Sequence, residues 1–128
     1  MNNSAKFSLK QRLKSFKYAF NGIKSLIQNE HNARIHFIAL FCVVVLGFVF
    51  QISIIEWLAI VIVSGIVILS ELFNTAMERL ADFIEPKHNI KIGLIKDYCA
   101  GAVLIAAIVA VVVGCIIFIP KILDVLYQ

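Results

Sequence analysis

Apolar and polar positions alternate with a helical period near the start of the chain. In residues 6–29 the apolar side chains recur every three or four positions, at Leu9, Leu13, Phe16, Phe20, Ile23 and Ile27. This spacing predicts an amphipathic helix. Its basic residues lie mostly off the apolar stripe, so the helix can rest in the headgroup plane of a bilayer. The alternative is a helix that packs against the other helices of the protein.

Three longer apolar segments follow, and they predict membrane spans over residues 35–55, 57–84 and 98–119. A helix needs about 20 residues to cross a bilayer, and each segment is long enough. Hydrophobic residues make up 61% of the 128-residue chain and charged residues 16%, against about 45–50% and about 25% in soluble domains. We therefore predict one all-α membrane domain over residues 1–128. Because three spans make a thin bundle, we also expect a homo-oligomer.

The predicted connections between the spans are polar. Residues 51–56 indicate a tight turn, and Trp57 follows where an interfacial aromatic residue is expected. Pro86 is the first residue that would stop the second span. Residues 85–96 are predicted as a polar loop, and the third span is predicted to end at Pro120.

The positive charge of the chain is unevenly distributed. The formal net charge is +4, and most Lys and Arg residues precede the first span or lie between the second and third; the exceptions are Lys121 and Arg79, which lies inside the second span. Cytoplasmic segments of membrane proteins are enriched in these residues. The N-terminus and the loop of residues 85–96 are therefore predicted to be cytoplasmic. Beside a span, a basic cluster indicates anionic lipid rather than nucleic acid as the partner.

Four polar residues occur on one face of the second span. Glu71, Asn74, Glu78 and Asp82 are spaced by three, four and four positions, which places them along a single helical face. At 1.5 Å per residue, Glu71 lies about 21 Å and Glu78 about 31 Å from Trp57. The hydrocarbon core is about 30 Å thick, so Glu78 is expected at its cytoplasmic boundary and Glu71 inside it. Ionisable groups at this depth are costly unless they are paired, metal-bound or functional.

Further charged residues are expected near the same plane, namely Glu30, Lys96 and Asp97. Carboxylates that converge with Asn and Lys can hold Mg²⁺ and a polyphosphate, and a lipid hydroxyl can reach the same level. The set thus points to phosphoryl transfer, although the sequence has no P-loop and a nucleotide must be held in another way. Two other interpretations are a transporter that uses Glu71 as a coupling carboxylate and a non-catalytic assembly subunit. A transporter site is expected near the midplane, whereas these acids extend towards the cytoplasm.

These residues belong to motifs that resemble the prokaryotic diacylglycerol kinase family. Residues 71–82, E-L-F-N-T-A-M-E-R-L-A-D, are similar to its signature E-x-x-N-S/T-A-I/V-E-x-x-x-D, with Met77 at the aliphatic position. Residues 96–104 and residues 16–30 resemble two further blocks of the family. The resemblance implies three transmembrane helices and an N-terminal surface helix, assembled as a homotrimer in the bacterial plasma membrane. It also implies active sites shared between subunits at the cytoplasmic interface.

The resemblance implies roles for individual residues as well. Glu78 would be the general base that takes the proton of the lipid hydroxyl, and Glu30 and Glu78 would hold the Mg²⁺ that bridges the phosphates of ATP. The other residues would bind or position the nucleotide, its phosphates, the metal or the base: Glu71, Asn74, Asp82, Lys96, Asp97, and either Arg12 or Lys14.

The resemblance leaves two candidates for the lipid substrate. Residues Arg34 to His36 read R-I-H, where enterobacterial diacylglycerol kinases carry a second acidic residue, and they are similar to the undecaprenol kinase branch. We therefore favour undecaprenol as the lipid alcohol, with diacylglycerol as the alternative. Both share the phosphorylated alcohol group and differ in the tail.

Overall fold

Four α-helices make up residues 8–127, the part of the chain that the computed structural model describes. They are α1 (Leu9–Asn29), α2 (His31–Val49), α3 (Ile54–Ile84) and α4 (Ile90–Leu126). Helices α2, α3 and α4 are each long and apolar enough to cross a membrane, which confirms the prediction of an all-α protein with three such helices. The predicted start of the first helix, at residue 6, lies outside the described residues.

Most large apolar side chains of the three long helices have no cover within the chain. Ile54 is 81% exposed and Phe48 is 72% exposed. The buried apolar cluster is small and lies near the α2–α3 turn, where it contains Ile52, Ile60, Ile117 and Phe118. Soluble monomers rarely expose so large an apolar surface. A bilayer accounts for it, because lipid tails solvate apolar side chains without the cost that water imposes.

The turn between α2 and α3 is shorter than predicted and sharply defined. Helix α2 ends at Val49, and Gln51 has a left-handed backbone with a φ of 48°. Ser53 then caps α3, because its hydroxyl accepts from the Glu56 N–H at 3.3 Å while the Glu56 carboxylate accepts from the Ser53 N–H at 2.6 Å. The prediction that the first span continues to residue 55 is therefore wrong, since this reciprocal cap begins a new helix.

Close contacts beside this turn join the three long helices. A Cβ atom added to Gly47 would lie 2.6 Å from the Trp57 ring, so only glycine lets the indole pack so closely against α2. The same ring lies against Phe48, with 5.0 Å between the centroids. Helix α4 is attached by an ion pair, in which the Lys121 ammonium lies 3.2 Å from the Glu56 carboxylate.

Helix α4 continues beyond its predicted end. The third span was expected to stop at Pro120, but the helix runs through this residue to Leu126. Proline removes one backbone donor from the helix, and membrane helices tolerate this loss where neighbouring groups compensate. The next residue, Lys121, forms the ion pair with α3, which holds the last turns of α4 against that helix.

Helix α4 also begins earlier than its predicted span. The side chain of Asn89 accepts a hydrogen bond from the Lys91 N–H at 2.9 Å and caps the helix at Ile90. The loop between α3 and α4 is therefore residues 85–89, not the predicted 85–96. As a consequence, Lys96 lies within α4, where its side chain can face α3.

Helices α3 and α4 form the principal pair of the fold, while α2 packs less extensively and α1 makes few contacts. With 31 and 37 residues, the pair is about 46 Å and about 55 Å long. Both lengths exceed the hydrocarbon thickness of about 30 Å. The pair is therefore longer than the apolar layer is thick, and the predicted polar face lies in the second half of α3.

Candidate active site

A polar cleft lies beside the second half of α3. Its volume is about 250 Å³, and its walls come from α2, α3 and α4. Helices α2 and α3 supply the polar side chains, which are Asn32, His36, Glu71, Asn74 and Glu78. Helix α4 supplies an apolar wall, which consists of Ala100, Val103, Leu104 and Ala107. Three of the four residues predicted to share a face of α3 thus meet in one cleft.

Glu71 and Asn74 are buried, with 2% and 8% of their surface exposed. The Asn74 side-chain amide donates a hydrogen bond to Glu78 Oε1 at 3.3 Å. Among the described residues, Glu71 Oε2 and Asn74 Oδ1 have no hydrogen-bond partner. A buried polar atom without a partner costs about 1–3 kcal/mol. These two oxygens therefore indicate a cation or hydrogen-bond donor that the single chain does not supply.

The oxygen donors near the cleft fit a divalent cation that arrives with a nucleotide. Glu30 and Glu78 both lie close enough to Glu71 to interact with it electrostatically. In the described part of the chain, no group of three or more His, Cys, Asp or Glu side chains is placed to hold a metal ion. Mg²⁺ usually takes one or two carboxylates and completes its shell with substrate phosphates and water. Glu78 in the cleft and Glu30 outside its lining could each supply one carboxylate to such a cation.

Glu30 lies at an elbow between two helices. It is the one residue that separates α1 from α2, and its backbone is extended, with φ −110° and ψ 121°. Arg34 donates to the carbonyl oxygens of Ile27 and Gln28 at 2.9 and 2.5 Å. Arg79 on α3 donates to Glu30 Oε1 at 3.4 Å. The carboxylate of the predicted metal ligand is thus held by Arg79, while Arg34 bonds the backbone just before it.

The remaining predicted site residues lie around the cleft rather than in it. Asp82 on α3 and Lys96 on α4 form an ion pair at 2.5 Å. Asp97 is exposed on the next position of α4, and Arg12 and Lys14 are exposed near the start of α1. Within one chain, these groups lie outside the lining of the cleft.

Three polar residues near the site were not predicted from the sequence. Asn32 and His36 line the cleft, one helical turn apart on α2, and this four-residue spacing at the start of an apolar helix was the available signal. Arg79 falls on a variable position of the signature. It became a candidate only when the structure placed it beside Glu30.

An apolar groove adjoins the polar cleft. Its volume is about 340 Å³, and His36 and Ala107 line both spaces. Nearly all of its other lining residues are apolar side chains of α2, α3 and α4. A polar cleft that borders an apolar groove suits a molecule with a polar head and an apolar tail.

Carboxylates and an amide gathered at the end of a membrane helix bundle, beside an apolar groove, define an integral membrane enzyme that acts on an amphiphile. The family model for prokaryotic diacylglycerol kinase matches residues 17–118, and the chain belongs to this family. It is therefore a lipid kinase.

Curated relatives agree with this assignment. The chain is 38% identical over 113 residues to an undecaprenol kinase of Bacillus subtilis (strain 168), a match that covers 88% of this chain and 92% of the relative. It is 33% identical over 113 residues to a diacylglycerol kinase of Synechocystis sp., covering 88% of this chain and 65% of the relative. It is 29% identical over 116 residues to a diacylglycerol kinase of Escherichia coli (strain K12), covering 91% of this chain and 93% of the relative. These matches confirm the predicted family and its undecaprenol-kinase-like branch.

Proposed function

We propose that this lipid kinase transfers the γ-phosphate of ATP to the hydroxyl group of undecaprenol, with diacylglycerol as the alternative acceptor. The observation that carries the proposal is the shared cleft of Glu71, Asn74 and Glu78, which adjoins an apolar groove. The cleft offers a base and polar anchors for the phosphates, and the groove offers a surface for the start of the lipid tail.

In the proposed reaction Glu78 takes the proton of the lipid hydroxyl. The hydroxyl oxygen attacks the γ-phosphorus, a new O–P bond forms, and the bond from the γ-phosphorus to the β–γ bridging oxygen breaks. ADP leaves with that electron pair. The Asn74 amide donates a hydrogen bond to the Glu78 carboxylate and thereby orients the group that accepts the proton. Phosphoryl transfer depends on positioning and charge stabilisation more than on covalent chemistry, and a positioned base adds about 10²–10⁴-fold.

Mg²⁺ would be held by Glu30 and Glu78. When bound, the cation neutralises charge that develops on the β- and γ-phosphates. The unpaired oxygens of Glu71 and Asn74 support this placement, since they can accept hydrogen bonds from groups that enter the cleft with the nucleotide.

The nucleotide would be positioned by residues around the cleft. Lys96 carries a positive charge at the end of the α3–α4 pair, and Asp82 holds its ammonium group. Asp97 follows on α4, and either Arg12 or Lys14 would reach the nucleotide from α1. Polyphosphates are bound by such converging charges even where no glycine-rich loop is present.

Undecaprenol is favoured over diacylglycerol by the ranking of the relatives. The relative at 38% identity is an undecaprenol kinase, whereas those at 33% and 29% are diacylglycerol kinases. The Arg34–His36 segment supports the same choice. His36 lines both the polar cleft and the apolar groove, so its side chain would contact the lipid near the hydroxyl end.

In the membrane, α1 would lie on the cytoplasmic surface and three copies would associate. The apolar stripe of α1 is exposed in the single chain, between 64% and 72% at Leu9, Leu13, Phe16 and Phe20. A stripe without cover on a basic helix favours the lipid interface. The homotrimer, with sites shared between subunits, is supported by the predicted site residues that lie outside the cleft of one chain.

The proposal is tested by transfer of labelled γ-phosphate from ATP in mixed micelles. Undecaprenol and diacylglycerol are offered in parallel, with Mg²⁺ present or chelated. Metal-dependent labelling is expected, with undecaprenol the better acceptor. Glu78→Gln should abolish it, whereas Glu85→Gln, a matched change at the end of the same helix, should not. No labelling of either lipid by a folded wild-type protein would overturn the proposal.

A further inference from the structure

The Glu30 carboxylate is not held by its own backbone surroundings. Glu30 is at once the last boundary residue of α1 and the first of α2, and its side chain forms no capping hydrogen bond to α2. Its side chain is 29% exposed. A long acidic side chain at such an elbow would sample several rotamers, so a defined position requires contacts from elsewhere in the fold.

Arg34 fixes the backbone of the elbow. The last carbonyl groups of a helix have no partner within that helix. The Arg34 guanidinium donates to two of them, at Ile27 and Gln28. The planar fork of an arginine suits two adjacent acceptors. This pair of bonds sets the direction in which α2 leaves α1, and therefore the place where Glu30 emerges.

Arg79 reaches the carboxylate from α3. Its guanidinium donates to Glu30 Oε1 at 3.4 Å and to Ser25 Oγ at 3.5 Å. Arg79 directly follows Glu78 in the chain, so its bonds join the elbow to the helix that carries the proposed base. Its side chain is 54% exposed. An ion pair at that exposure contributes little to the stability of the fold, so the contact matters for geometry more than for folding.

We propose that Arg79 is a positioning residue, which keeps the Glu30 carboxylate directed at the site of the nucleotide-borne divalent cation. Oε1 of Glu30 accepts the bond from Arg79, and the second oxygen is left for the cation. The inference rests on the proposed function. Partners that orient metal ligands contribute about 10- to 100-fold to metal affinity, and the length and exposure of this contact favour the lower end of that range.

The test measures metal binding directly as well as activity. Binding of Mn²⁺ in the presence of a non-hydrolysable ATP analogue is followed by electron paramagnetic resonance, and phosphotransfer is titrated with Mg²⁺. Arg79→Gln should weaken Mn²⁺ binding about tenfold, while kcat at saturating Mg²⁺ stays close to that of the wild type. Arg79→Lys should restore part of the affinity, because it keeps the charge but loses the fork.

A matched control separates positioning from stability. Lys121→Gln removes the Lys121–Glu56 ion pair at the other end of α3, and it should leave the Mn²⁺ titration unchanged. An Arg79→Gln variant that binds Mn²⁺ like the wild type, with at most a change in melting temperature, would overturn the inference and leave the kinase proposal intact. Wild-type protein that neither binds Mn²⁺ nor transfers phosphate would overturn both.

Discussion

The side-chain amide of Asn74 donates a hydrogen bond to the carboxylate of Glu78, one helical turn further along α3, at 3.3 Å. Asn74→Ala removes this donor and leaves Glu78 free to adopt other rotamers. Because hydrogen bonds to charged groups contribute about 1.5–3 kcal/mol, we expect kcat to fall by about tenfold or more. The measurement is phosphotransfer at saturating ATP and lipid. Asn89→Ser, which keeps the cap of α4, serves as the control, and equal activity in both variants would contradict the role of Asn74.

The ion pair between Asp82 and Lys96 gives a second prediction. If Lys96 contacts the phosphates, Lys96→Met should raise KM for ATP by about tenfold or more, since a lost charged contact costs about 1.5–3 kcal/mol. Asp82→Asn should act in the same direction but less strongly, because it only loosens the ammonium group. Steady-state kinetics with varied ATP give both values.

The double variant and a second lysine test this reading of the pair. If Asp82 acts through Lys96, the two changes together should be no worse than Lys96→Met alone. Lys91→Met, at the same end of α4, should leave KM for ATP unchanged. Additive losses in the double variant would show that Asp82 acts independently.

A substitution at the contact between Gly47 and Trp57 is predicted to lower the stability of the protein rather than its activity. A Cβ at Gly47 would lie 2.6 Å from the indole, and overpacking of this kind costs about 1–3 kcal/mol. We expect Gly47→Ala to lower the melting temperature in detergent, followed by circular dichroism. A Cβ added at Gly93 would have no atom within 4 Å, so Gly93→Ala should leave the melting temperature unchanged. Adding Trp57→Phe to Gly47→Ala should recover part of the loss; a loss that persists in full would point away from the ring contact.

The orientation in the membrane is tested by cysteine labelling in whole cells. Single cysteines are placed at Ile54, beside the α2–α3 turn, and at His88, in the α3–α4 loop, after the native cysteines are replaced by alanine. Because Lys and Arg concentrate on the cytoplasmic side, an impermeant maleimide should label the cysteine at 54 in intact cells and the cysteine at 88 only after permeabilisation. The reverse pattern would contradict the proposed orientation.

Much of the fold follows from local patterns. A helix closes its backbone hydrogen bonds within the segment, so apolar length alone indicates where a span forms, and the structure has three helices of that kind. The same periodicity placed Glu71, Asn74 and Glu78 on one face, and all three line the cleft. The helix boundaries predicted from the sequence were less accurate at the starts of α3 and α4. There the side chains of Ser53 and Asn89 cap helices that begin earlier than the apolar runs indicate.

The surroundings of the site depended on contacts between distant parts of the chain. Arg79 meets Glu30 across 49 positions, and Lys96 meets Asp82 across 14. Helical periodicity predicts which face of a helix is polar, but it does not predict which residue of another helix will lie opposite that face. That is decided by how closely the helices approach and at what register they pack, as where Gly47 admits the Trp57 ring. The sequence alone therefore determined the spans and the polar face of α3, whereas tertiary packing decided which side chains hold that face in place.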